Sequence, residues 1–252
     1  MLSRQDLHYE GVVEARMASS RLPGKMLMAI GGKPSLQILT ERLQRVPGLS
    51  GITVATTVNA SDDPLEDLCN KLKIGCFRGS EEDVLQRVLG AARTSGADVI
   101  VEITGDCTFL DPGIVEESID AYKKNDVDFV ANCVEKPHYP AGMDARIFAT
   151  ELLAEADKLT DNLNDREHVS LYFWEHPERY KLLFVKPPPE YAHPEIFIAL
   201  DEQEDLNMMR RIYEILYPQN SLFSLKDILA LLKDKPQIYE MSKSLYRKGV
   251  HG

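Results

Sequence analysis

The chain of 252 residues is short of cysteine, of basic charge and of long apolar runs, and each shortage closes off a class of protein. Its four cysteines, Cys69, Cys76, Cys107 and Cys133, form no C-x-x-C pair and lie among apolar segments, so neither a disulfide framework nor a zinc site is expected. Buried, reduced thiols in a cytoplasmic protein are the reading they favour. Apolar residues make up 44% of the chain, enough for a sizeable core. The uninterrupted apolar runs are only a few residues long, whereas a membrane-spanning helix needs about 20. The first ten residues carry Asp6, His8 and Glu10 around no apolar centre, which is not the pattern of a signal peptide. Forty acidic against 29 basic residues give a net charge of −11, so no basic surface broad enough for a nucleic acid is expected.

The common phosphate-binding fingerprints are missing too. No G-x-x-x-x-G-K-[ST] occurs, and Leu22-Pro23-Gly24-Lys25 lacks the Ser or Thr that would meet magnesium in a P-loop. No G-x-G-x-x-G follows the first predicted strand, which weighs against ATPase and dinucleotide readings. What is present is a local excess of positive charge. From Ala15 to Thr40 there is no acid, although about four would be expected at the chain-wide rate, while Arg16, Arg21, Lys25 and Lys33 all fall there. A small anionic ligand needs only such a local patch.

Strand and helix patterns alternate through the first half. Strands are predicted at Tyr9–Glu14, Gly51–Thr57, Cys76–Arg78, Asp98–Thr104 and Asp128–Asn132. Helices are predicted from Pro34 to about Pro47-Gly48, from Asp62-Asp63-Pro64, over Ser80–Arg93 and over Gly113–Lys123. This is the order of an α/β fold, a Rossmann-like, mostly parallel sheet with helices on both faces. After Cys133 the regularity fails: a loop at Lys136–Pro140, helices near 150–159 and 165–175, a strand near 180–186 and a bend at Pro187-Pro188-Pro189. A strand at Glu195–Leu200 and an amphipathic helix at Glu202–Leu216 then resume the pattern. Residues 134–195 therefore read as a small inserted lobe within a 1–218 domain, and 219–252 as a helical extension with a polar tail.

Ligands of an open parallel sheet bind beyond the carboxyl ends of its strands. Ala15–Lys25, Gly105-Asp106 and Asp201 each leave a predicted strand at that edge, so a cationic loop and two carboxylates should face one crevice. Such a pair suits Mg²⁺, which takes one or two carboxylates together with phosphate oxygens. Asp201 also reads as a helix N-cap with Glu204 three residues on. Asp62-Asp63-Pro64, Asp111-Pro112 and Ser80 with Asp83 read as caps, His168 as structural or interfacial, and Met26 and Met28 as core.

The run Ala15-Arg16-Met17-Ala18-Ser19-Ser20-Arg21-Leu22-Pro23-Gly24-Lys25, followed by Gly31-Gly32-Lys33-Pro34, resembles the opening signature of cytidylyltransferases that activate acidic sugars. The likeness is to the spore-coat polysaccharide biosynthesis (SpsF-like) type, related to CMP-Kdo and CMP-sialic acid synthetases. It continues at Phe77–Leu85, Thr104–Cys107, Tyr139–Asp144, Arg166–Val169 and Leu200–Leu206, and covers roughly residues 10–217. The resemblance implies a fold of the nucleotide-diphospho-sugar transferase type and a CTP-dependent, magnesium-requiring enzyme that transfers CMP to an acidic sugar and releases pyrophosphate. It also implies a homodimer, with the inserted lobe serving acceptor binding or dimerisation.

By the same resemblance Lys25, Arg16 and Arg21 are catalytic, and Ala15 and Ser20 join them in holding the triphosphate. Arg78, Gly79, Ser80 and Asp83 lie by the base and ribose, Asp106 and Asp201 hold the metal, and Met143 and Asp144 face the acceptor. Two departures, Glu14 in place of glutamine or proline and Thr108 in place of proline, flank the site and bear on acceptor identity. Rival readings remain at this stage: a sugar-phosphate pyrophosphorylase using another nucleotide, or a catalytically silent nucleotide-binding subunit.

Overall fold

A computed structural model describes residues 3–133 and 139–242. The expected loop residues Lys136, Pro137 and His138, and the tail beyond 242, lie outside the described residues. The chain opens with β1 (Tyr9–Glu14), a 3-10 turn at Lys25–Leu27, β2 (Ala29–Ile30), β3 (Lys33–Pro34) and α1 (Ser35–Leu43). Next come β4 (Gly51–Thr57), α2 (Asp63–Leu72), β5 (Gly75–Gly79), α3 (Val84–Ser95), β6 (Val99–Thr104) and α4 (Pro112–Lys124). The second half supplies β7 (Phe129–Ala131), β8 (Arg146–Ala149), α5 (Thr150–Leu159), α6 (Leu163–Glu167), α7 (Leu171–Glu175) and β9 (Leu182–Phe184). Three helices close the described residues: α8 (Gln203–Leu216), α9 (Leu225–Asp234) and α10 (Pro236–Tyr239).

Seven strands form one sheet in the order β5-β4-β1-β6-β8-β7-β9. The pairs β1/β4, β1/β6, β4/β5 and β7/β9 are parallel, and β8 runs antiparallel to both its neighbours. The chain leaves β1 for β4 and β5 on one side and returns through β6 on the other. The carboxyl ends of β1 and β6 therefore flank the switch point where such sheets bind ligands.

Both faces of the sheet are covered, which explains why β1 and β6 are buried nearly throughout, Glu10 and Glu102 included. Tyr9 and Val13 of β1, with Val99, Val101 and Ile103 of β6, point into the larger core with α1, α4 and α8. Val12 and Ile100 point into a second core with α3, α5 and α7. Beside the sheet, β2 and β3 pair through Gly31-Gly32, both at positive φ (59° and 83°), as a two-residue hairpin with both turn residues left-handed requires. A Cβ on Gly31 would fall 2.1 Å from the Tyr213 ring, so this turn seats the loop against α8.

The second half departs from the sequence reading in four places. Residues 134–195 do not stand apart as a lobe, because β8 and β9 are strands of the main sheet. β8 went unpredicted: only Ile147-Phe148 marks it, and it is held by pairing with β6 and β7 on either side. Glu195–Leu200 is not a strand. The position beside β6 is taken by β8, and the segment makes a single bridge, Phe197 to Ala141, while burying Ile198 and Leu200. Finally, 219–242 is no appendage: Phe223, Leu225, Ile228, Leu232 and Ile238 belong to the main core. Buried Arg42 ties them in, donating to the carbonyls of Leu110 and Phe223, and Leu225 N–H donates to the Asp111 carboxylate at 2.7 Å.

Candidate active site

The loop after β1 is fixed at both ends and in its middle. Ala15 N–H continues the sheet to Ala55 O (3.2 Å), Leu22 and Met26 are buried, and Ser35 Oγ donates to Lys25 O at 2.6 Å. Midway, Met17 N–H donates to Asp62 Oδ1 at 2.8 Å, and Met17 O accepts from both Ser19 and Gly24. The other oxygen of Asp62 accepts from the Thr56 hydroxyl and from the hydroxyl and N–H of Thr57. Asp62 sits at the start of α2, as the sequence implies, but its carboxylate makes no cap hydrogen bond there. It is spent on anchoring the loop.

Asp106 and Asp201 reach the same place by different routes. Asp106 lies in the turn after β6, and its carbonyl accepts from Leu200 N–H at 2.9 Å. That bond carries the following residue, Asp201, to the end of β6. The N-cap of α8 is Glu202, in a capping box with Asp205, and Asp205 Oδ2 accepts from the N–H groups of both Asp201 and Glu202. The capping reading of Asp201 is thus off by one residue, and its side chain is free for the site. Asp201 Oδ1 takes Arg21 at 2.9 Å and Lys25 Nζ at 3.0 Å. Lys25 Nζ also donates to Leu200 O at 2.8 Å and lies 3.7 Å from Asp106 Oδ2.

These side chains line a cavity of about 280 Å³ with Arg16, Ala18, Ser19, Ser20 and Met26. Glu14, Val84, Arg87, Thr104, Glu167 and His168 line it as well, none of which sequence reasoning placed in the site. The signals that could have found them were the Glu14 departure and the Arg166–Val169 match. Val169 is buried with φ at 44°, a left-handed conformation that a β-branched residue rarely takes, directly after His168. Arg166 fastens this turn to α3, forking onto Asp83 and reaching Asp157 at 2.8 Å. Glu14 and Arg87 belong to a cluster of buried charge with Glu102, Asp144 and Arg146. Burial and the charge of Glu102 push the Glu14 carboxyl up to about 8, against the pull of Arg146 and Arg87. Among the described residues Glu14 Oε1 and Arg87 Nε have no hydrogen-bond partner. Arg146 pairs with Glu102 at 3.3 Å, and burial raises Asp144 to about 6, with Arg146 opposing and Asp106 and Glu102 adding.

The cations and both aspartates expected from the sequence therefore converge, with Ala15 and Ser20 beside them. Others do not join them. Lys33 pairs with Glu41 at 2.6 Å. Arg78 is committed to Asp63, Glu66 and the carbonyls of Thr57 and Asn59, a tie between β5 and α2. Gly79, Ser80 and Asp83 do not line the cavity: Asp83 caps α3 and holds Arg166, and Ser80 Oγ accepts from Asp83 N–H. Met143 packs in the main core, its carbonyl accepting from Asn132, because the strand β8 that follows draws it under the sheet. Asp144 lies behind Asp106 rather than on the cavity wall. The four cysteines are free, Cys69 and Cys107 buried and Cys76 and Cys133 partly so. Among the described residues no helix is long and apolar enough to cross a membrane.

A cationic loop at the switch point of a doubly wound sheet, faced by Asp106 from the end of β6 and by Asp201 hydrogen-bonded in beside it, defines a phosphate-handling α/β enzyme of the nucleotidyltransferase type. The chain belongs to the cytidylyltransferase family, whose family model matches residues 11–249 and so takes in the C-terminal helices. It is 31% identical over 211 residues to the spore coat polysaccharide biosynthesis protein SpsF of Bacillus subtilis, covering 81% of this chain and 85% of that protein. It is 29% identical over 119 residues to an 8-amino-3,8-dideoxy-manno-octulosonate cytidylyltransferase of Shewanella amazonensis, 47% of this chain and 49% of the relative. A solved cytidylyltransferase of Leptospira borgpetersenii superposes with a TM-score of 0.86 at 31% identity, covering 96% of this chain and all of that one. The chain is a CTP-dependent nucleotidyltransferase of the SpsF-like type.

Proposed function

We propose that the enzyme transfers CMP from CTP to a carboxylated sugar, with Mg²⁺ held by Asp106 and Asp201. The observation that carries this reading is the position of Lys25 Nζ, which brings the two carboxylates to one cation. Among the described residues no group of three or more His, Cys, Asp or Glu forms a metal site. Magnesium on a nucleotide requires only one or two carboxylates, its other ligands being phosphate and water, so the pair fits. When bound, the ion supplies neutralisation of phosphate charge and polarisation of the α-phosphorus.

The chain's own residues do the rest. Arg16, Arg21 and Lys25 bind the triphosphate and stabilise the charge that develops as an acceptor oxygen attacks the α-phosphorus and pyrophosphate leaves. Asp62, through Met17, holds the loop in place for that displacement. The sugar-acid name of the Shewanella relative supports a carboxylated acceptor, which would bind beside Arg87, Glu167 and His168. A homodimer belongs to the same reading, supported by the exposed Leu159 and Leu163 of the 134–195 segment. A cytoplasmic location is supported by the free thiols.

Pyrophosphate release with magnesium, run with CTP, UTP, GTP and ATP against a panel of sugar acids, tests the proposal. Turnover with CTP and a sugar acid is expected. Activity confined to neutral sugar phosphates would sink the acceptor assignment, and full activity of Asp106→Asn in EDTA would sink the metal.

A further inference from the structure

Two of the cations that should meet triphosphate are already paired, and paired with the residues that should meet the metal. One oxygen, Asp201 Oδ1, accepts from both Arg21 and Lys25, at 2.9 and 3.0 Å. Lys25 Nζ has 12% of its side chain exposed, lies 3.7 Å from Asp106 Oδ2 and donates to Leu200 O. The backbone on each side is fixed, by Ser35 Oγ on Lys25 O and by Leu200 N–H on Asp106 O, so this is a built contact rather than a passing one. Two aspartates against Lys25 and Arg21 form a locally neutral group. A divalent ion arriving alone must push two cations off Asp201 and then sit beside them with nothing to receive their charge. A triphosphate changes this, because its oxygens give Lys25 and Arg21 new partners as they release the carboxylates. Lys25 can make the exchange without moving backbone, since its ammonium rides on a flexible four-carbon stem. Arg21 is nearly half exposed and is freer still.

We infer that Lys25, assisted by Arg21, is the internal counter-ion of Asp201 and Asp106 in the empty enzyme, and that the metal ion is admitted together with the nucleotide triphosphate and not before it. The inference rests on the reading of Asp106 and Asp201 as the metal pair. It makes Lys25 a two-position residue: on the aspartates without nucleotide, on the phosphates with it. Because coupling is reciprocal, the triphosphate without a divalent ion also binds weakly, since it must take its cations from Asp201.

The test is direct binding of Mn²⁺ to the full-length protein without nucleotide, read from the free-ion electron paramagnetic resonance signal. Wild type should bind Mn²⁺ weakly. Lys25→Met should bind it at least tenfold more tightly, an unusual direction for the loss of a triphosphate-binding lysine. The double variant Lys25→Met/Asp201→Asn should lose the gain. Arg21→Gln, at a side chain that is 45% exposed, should show a severalfold gain in the same direction and decides the matter should Lys25→Met not fold. Tight Mn²⁺ binding by wild type, or no gain in either single variant, overturns the inference. The metal reading has a separate test: if Asp106→Asn and Asp201→Asn bind Mn²⁺ with CTP present as well as wild type does, that reading fails, whatever Lys25 does.

Discussion

Replacing Asp62 by alanine tests how far the cationic loop depends on a residue outside it. The carboxylate is 1% exposed and accepts four hydrogen bonds: Met17 N–H at 2.8 Å, the Thr56 hydroxyl at 3.0 Å, the Thr57 hydroxyl at 2.6 Å and Thr57 N–H at 3.1 Å. Hydrogen bonds to a charged group contribute about 1.5–3 kcal/mol each and do not add, and removing one side of a buried charged network costs about 3–5 kcal/mol. In a chain of this size that lowers the melting temperature by roughly 6–20 °C, at about 2–4 °C per kcal/mol. With Met17 N–H released, the loop bearing Arg16, Arg21 and Lys25 loses its middle anchor. CTP affinity should fall at least tenfold at temperatures where the variant stays folded.

Urea unfolding and calorimetric CTP titration measure the two effects. The pH dependence supplies a third check. Burial pushes the Asp62 carboxyl up, but the bonds from Thr57, Met17 and Thr56 outweigh it and hold it below its usual value. Its contribution is therefore present above the unfolded value of about 4 and lost as pH falls through the lower folded one, so wild type and variant should converge in strong acid. A variant within about 1 kcal/mol of wild type, with unchanged CTP affinity, would refute the anchoring argument.

Glu14→Gln should remove a pH dependence of stability. A carboxyl raised to about 8 in the fold contributes stability fully present below its unfolded value, near 4.5, and lost as pH rises through about 8, so the variant should gain on wild type at pH 8–9 in thermal melts. Gly142→Ala forces a Cβ to within 2.8 Å of Ala199 N and Ile198 C at a φ of 94°, and should cost more than about 2 kcal/mol by denaturant titration. Arg166→Met strands Asp83 and Asp157 and unfastens α6 from α3. It should destabilise by about 1–3 kcal/mol and raise the acceptor KM more than the CTP KM, since Glu167 and His168 follow it in the chain.

Much of the fold was legible because its signals are local. β1 and β4 begin and end where their residue pattern begins and ends, and the acid-free window around Arg16, Arg21 and Lys25 is a property of neighbours in the chain. The switch point follows from that same strand and helix order, and it puts the loop and Asp106 together without any knowledge of side chains. Asp201 was legible as a candidate, but the bond that brings it in, Leu200 N–H to Asp106 O, joins residues 94 positions apart in the chain. β8 has four residues and almost no pattern of its own, and it is a strand because β6 and β7 offer it hydrogen bonds on both sides.

The roles of the acids show the limit most clearly. Asp62, Asp83 and Asp201 all read as caps or candidate ligands from their position before a helix, and Glu202 only as the first residue of one. A local pattern places a carboxylate but cannot say which donors will be buried against it. Glu202 caps, Asp83 caps and also holds Arg166, Asp62 leaves its helix to anchor the loop, and Asp201 turns to Lys25. The sequence by itself determined the alternating sheet, the cationic loop and the family. Tertiary packing decided which of several similar acids meets which cation, because a buried charge takes its partner from whatever the fold brings beside it, however distant in the chain.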